Sequence, residues 1–192
     1  TAGAQHNHSG THASGDPAEV AETFVVDGLR VDLDELPGGS AVGRAGLRYG
    51  DGGYVAVVHG KPYVRGRQVW GGLVGLDQVW VAGAHRATEM ITTVPLQIGD
   101  TRIEPGAYSL FVTPRNDVWT LHVNRAMGMH LADEYDADLD IATVTASPAV
   151  IDSERGTEPT VEGLTWTFTG DGAGLALAWD RLRTTFPIAR VP

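Results

Sequence analysis

From Phe24 onward, apolar and polar positions alternate with a period close to two: Leu29, Val31 and Leu33 fall on one side of the chain and Arg30 and Asp32 on the other. That period belongs to an extended strand, whose successive side chains point to opposite faces. The clearest instance comes later. Leu164, Trp166 and Phe168 alternate with Thr165, Thr167 and Thr169, and after Gly170-Asp171-Gly172-Ala173-Gly174 the residues Leu175, Leu177 and Trp179 alternate with alanines. Two such runs around a glycine-rich turn predict a β-hairpin. Further strands are predicted over Thr88 to Val94, Leu96 to Ile98, Thr101 to Ile103, Tyr108 to Thr113 and Val118 to Asn124. They are punctuated by Gly99-Asp100, Pro105-Gly106 and Pro114-Arg115-Asn116-Asp117, whose residue types set tight turns. Strands this close, with at most one short helix around Ala126 to Tyr135, predict an all-β, antiparallel β-sandwich of jelly-roll-like form.

The first 17 residues break the pattern. Residues 1–17 are built from Gly, Ser, Thr, Ala and His without apolar periodicity, which predicts a flexible N-terminal leader before a single β-sandwich domain over residues 18–192. A chain of 192 residues with 42% hydrophobic content is long enough for one sizeable core. No run reaches the roughly eighteen apolar residues of a membrane-spanning helix. The first residue is Thr1 in place of a methionine, so a secreted or cell-surface protein with its signal peptide removed is expected. The lack of cysteine does not separate compartments, because a domain of this size holds together without disulfides. The net charge of −10 does separate partners: it repels nucleic acid and anionic membrane.

With the strands placed, several segments can be read in order: GKPYVRGRQVWGGLV, the Val79-Trp80…Gly83-Ala84…Ala87-Thr88 run, EPGAYSLFVTP, VWTLHVN and the terminal LALAWDRLRTTFPI. Together, over roughly Gly60 to Ile188, they resemble a bacterial secreted or lipid-anchored family, domain of unknown function number 2911. The resemblance implies a β-sandwich, in agreement with the period-two reading. The family usually reads VWR-x-GANEAT, and Val81, His85 and Arg86 stand here in place of its Arg, Asn and Glu. The family has no assigned activity, so the resemblance supplies no catalytic residue.

Four groups of residues offer chemistry. His6, His8 and His12 in the leader are spaced so that imidazoles could converge on Cu(II), Zn(II) or Ni(II). Asp133, Asp136, Asp138 and Asp140 put carboxylates at near-alternate positions, a pattern that can surround Ca²⁺ in a loop. It is not an EF-hand: counted from Asp136, Ile141 stands where Gly is required and Ser147 where Glu is. Arg65 and Arg67 flank Gly66, so in an extended backbone both guanidinium groups would share a face, for a carboxylate or for an internal salt bridge. His85 stands beside the family motif, and with His122 and His130 it would form a trio if their loops met. The five tryptophans lie in apolar strands and read as core. There is no G-x-S-x-G elbow, H-E-x-x-H helix, P-loop or G-x-G-x-x-G fingerprint.

The expectation that follows is a non-catalytic secreted or surface β-sandwich that acts by association. It would form a homo-oligomer or homopolymer, the leader or the Phe24 to Leu33 strand docking on a neighbour's strand edge. The alternatives are a metal-binding secreted protein, using the leader histidines or the acidic loop, and a hydrolase or carbohydrate-binding module built around His85, Arg65 and Arg67.

Overall fold

The computed structural model describes residues 40–151 and 161–192, together with the backbone of two short strands that precede them. Those two, β1 (Thr23–Val26) and β2 (Leu29–Asp32), pair antiparallel with Val26 opposite Leu29. The hairpin belongs to the unit Thr1–Leu33, and the remaining strands belong to the other unit, Asp34–Pro192. The leader, with His6, His8 and His12, lies outside the described residues.

The larger unit contains β3 (Ala41–Arg48), β4 (Tyr54–Lys61), β5 (Thr88–Thr92), β6 (Leu96–Ile98), β7 (Thr101–Ile103), β8 (Gly106–Thr113), β9 (Trp119–Asn124) and β10 (Asp140–Ala146). After β11 (Ala149–Val150) come β12 (Val161–Phe168), β13 (Gly174–Asp180) and β14 (Leu182–Arg190). They form two antiparallel six- and five-stranded paths, β10-β9-β8-β5-β4-β3 and β12-β13-β14-β6-β7, with β11 paired to β14. The expected hairpin is there, Trp166 opposite Leu177 and Phe168 opposite Leu175. The Gly99-Asp100 turn works because Gly99 takes a φ of 56°, a left-handed conformation that costs glycine nothing.

Register decides which residues meet. In the first sheet Val57 pairs with Met90, Leu110 with Val123 and Val112 with Leu121, and these side chains share the inner face. Across from them the second sheet presents Leu164, Trp166, Leu175, Leu177, Phe186 and Ile188, all in one buried cluster. Alternation along each strand thus becomes a sandwich core. Trp119, Trp166 and Trp179 are fully buried within it. Trp70 and Trp80 close one end, with Trp70 4.5 Å from Trp119 and Trp80 stacked on Trp179 at 6.0 Å. No tryptophan is fully exposed, as the core reading requires.

Two segments depart from the sequence expectation. Residues 126–135 form turns in place of a helix, with positive φ at Gly128 and Leu131, and the helical content among the described residues is one 3-10 turn at Ala137–Leu139. Arg65 and Gly66 both take positive φ, 48° and 68°, so the chain reverses there and the two arginines do not alternate along a strand.

Candidate functional site

The outer face of the first sheet carries a second layer. The register that sends Leu110, Val112, Leu121 and Val123 inward sends Phe111, Thr113, His122 and Asn124 outward, with His122 opposite Phe111 and Asn124 opposite both Ser109 and Asp140. Phe111 is nevertheless wholly buried, covered by a small cluster with Val81, Ala87 and Met129. The chain between β9 and β10 lies over this face, bringing Tyr135 edge-on to Phe111 at 5.0 Å.

Beside that cluster is a hydrogen-bonded chain of side chains. Asp140 accepts at Oδ2 from Tyr135 Oη at 2.5 Å and from His122 Nδ1 at 2.8 Å, and at Oδ1 from Asn124 Nδ2 at 2.8 Å. The carboxylate thereby fixes the imidazole tautomer with its proton on Nδ1, which leaves Nε2 to accept from the Thr113 hydroxyl at 2.9 Å. Burial, and then the adjoining Asp140 carboxylate, push the Tyr135 phenol well above its ordinary value, so it remains a donor throughout the physiological range. Hydroxyl, imidazole and carboxylate stand in the order of a nucleophile relay. Thr113, however, is 5% exposed, which closes its hydroxyl to a substrate in this arrangement. What the network does is hold the loop down: Asn124 also donates to Asp136 O at 2.9 Å and accepts from Ala126 N at 2.9 Å.

The residues singled out from the sequence are dispersed. Asp140 turns inward to the network, while Asp136 caps the 3-10 turn by accepting from Asp138 N at 2.9 Å, and Asp133, Asp136 and Asp138 are exposed. Among the described residues, no three His, Asp or Glu side chains group as metal ligands. Arg67 turns back on its own chain, donating to Tyr63 O at 2.7 Å and Val64 O at 3.2 Å. Arg65 lies over the Tyr63 ring at 5.6 Å, and its backbone N–H donates to Glu162 Oε1 at 2.8 Å. His85 sits at a turn with φ 65°, its carbonyl accepting from Leu131 N at 2.7 Å, and Arg86 bridges His130 through backbone. His122 alone of the three histidines enters the buried network.

Sequence reasoning did not locate one open feature among the described residues, a groove between two strand edges. β3 ends one sheet and β12 ends the other, and the two edges run beside each other. The first half of β12 is covered, since Val64 N donates to Glu162 O at 2.8 Å and Leu164 N to Pro62 O at 2.9 Å. Beyond Leu164 no further bond of this kind is found among the described residues. There an open groove of about 360 Å³ is lined by Arg44 to Leu47 from β3 and Trp166 to Gly170 from β12 and the turn after it. Ala45, Leu47, Trp166 and Phe168 form its half-buried or buried apolar side, and Arg44, Gly46 and Thr167 its exposed rim. Among the described residues β3, eight residues long, has a strand partner on one side and none on the other, and such an edge is a template for an added strand.

The family described as protein of unknown function (DUF2911) matches residues 47–188, a span that holds both the polar network and the β12 side of the groove. No curated protein and no solved structure matches the chain.

Proposed function

Because the chain belongs to the DUF2911 family, whose description carries no activity, we propose from its own geometry that the protein acts by association, as a self-assembling β-sandwich subunit whose N-terminal segment docks on a neighbouring copy. One observation carries this: among the described residues, the edge of β3 and the part of β12 beyond Leu164 have no strand partner, and they adjoin around a groove with an apolar side. Natural sandwiches shorten, bulge or cover such edges, because an unpaired row of backbone N–H and C=O groups recruits another chain. Here β3 is eight residues long and pairs with β4 over its whole length without a register shift.

The chain also brings a short hairpin of its own. A two-stranded hairpin such as β1-β2 is marginally stable alone in water and gains stability by joining a larger sheet. Contact between unlike surfaces of two copies is head-to-tail, and it extends into filaments unless its rotation closes a ring. Light scattering on the full chain and on a chain lacking residues 1–33 tests the reading. The full chain is expected to give a mass of several subunits that falls to one subunit on truncation. Equal masses for the two would remove the N-terminal segment from assembly.

A further inference from the structure

We propose that the acceptor is the groove between β3 and β12, and that its occupant is the strand β2, Leu29–Asp32, of a second copy. This rests on the association reading and names its surfaces. Three observations meet there. The groove is bounded by two strand edges, so one inserted strand could hydrogen-bond along either. The apolar side, Ala45, Leu47, Trp166 and Phe168, calls for a strand with small or medium apolar residues on alternate positions. In the sequence Leu29, Val31 and Leu33 have that period, with Arg30 and Asp32 between them.

Charge selects the same pairing. β3 carries Arg44 and Arg48, both exposed, and no acidic residue, while the open half of β12, Thr165 to Phe168, carries no charge at all. In a chain of net charge −10 the β3 side of the rim is basic, and the carboxylate at the far end is Asp171, which accepts from Thr169 Oγ1. The donor strand is flanked by Asp27, Asp32, Asp34 and Glu35 against Arg30 alone. Opposite charges at the rim steer encounter and fix register, so assembly should slow as salt is added.

The test uses the absence of native cysteine. Full-length copies carrying Val31→Cys are mixed with full-length copies carrying Ala45→Cys or Thr167→Cys and treated with a short bismaleimide. The expected product is the mixed dimer with each acceptor position, and little with Asp117→Cys, an exposed position in the β8-β9 turn. Multimers by light scattering without these mixed products would overturn the groove while leaving association standing. A single-subunit mass for the full chain would overturn both. Cross-linking inside single chains that carry both cysteines, without mixed dimers, would make the occupant the same copy's strand and overturn the proposal.

Discussion

Replacing Gly60 with alanine is expected to cost about 4 kcal/mol and to lower the melting temperature by on the order of 10 °C, the largest single-residue effect that the fold predicts outside its core side chains. A Cβ at Gly60 would stand 2.1 Å from the carbonyl oxygen of Ala84 and 2.8 Å from its nitrogen, both backbone atoms that no side-chain rotation can move. From the other side, a Cβ at Gly83 would meet Gly60 O at 3.1 Å and Thr88 Oγ1 at 3.0 Å. The glycines of GKPY and GAHRAT are therefore in contact, backbone to backbone. The turn they clasp is strained: Ala82 takes a φ of 53°. Its carbonyl is held by Thr88 Oγ1 and Trp166 Nε1, each at 3.0 Å. Gly46→Ala is the matched control, because its nearest neighbour would be Val55 O at 3.9 Å, and it should change stability by less than about 0.5 kcal/mol. Urea unfolding of the two variants checks the pair. Similar midpoints would mean that the Gly60 contact is not tight.

Acid is expected to destabilise the sandwich through His59. This residue lies on the inward face of β4 with Val55 and Val57, is 4% exposed, and donates from Nδ1 to Gly60 O at 3.0 Å. Its cross-strand partner Gly43 makes room for the ring, since a Cβ there would sit 2.2 Å from Nε2. Burial, with a smaller push from Lys61, lowers the imidazole pKa from 6.5 to about 4, against the upward pull of the Gly60 carbonyl. The folded chain thus keeps His59 neutral at pH values where the unfolded chain takes up a proton. The stabilisation is complete above about pH 6.5 and is lost as pH falls from there to about 4, by roughly 3 kcal/mol. Urea unfolding at a series of pH values should show a flatter slope in this window for His59→Leu than for the native chain. Parallel slopes would contradict the burial of the ring.

Strand positions were legible because turn chemistry and alternation agree. Leu96–Ile98 and Thr101–Ile103 fall where the Gly99-Asp100 turn puts them, and the hairpin of Trp166 and Leu177 follows from two unbroken alternations. His59 also carried a readable signal, since it continues the Val55, Val57 alternation into the core. Residues 126–135 misled, because good helix formers there are overruled by positive φ at Gly128 and Leu131 and by the ties of Asn124 and Tyr135. The acidic run was read as one loop although its last residue, Asp140, opens β10. Strand pairing turns that carboxylate inward beside Asn124 and His122, away from Asp136 and Asp138. Neither the network nor the groove could be read from spacing. Both depend on which strands are neighbours and which are left at an edge, and that is decided by long-range pairing.

Hydrogen exchange at the free edge of β3 tests the central claim most directly. The amides of β3 that do not bond β4 are followed in the full chain over a range of protein concentration, with the chain lacking residues 1–33 alongside. Occupation by a neighbour's strand predicts protection of these amides that rises with concentration in the full chain and is missing from the truncated one, while β5 and β8 stay protected in both. Fast exchange at that edge at every concentration in the full chain would contradict the account.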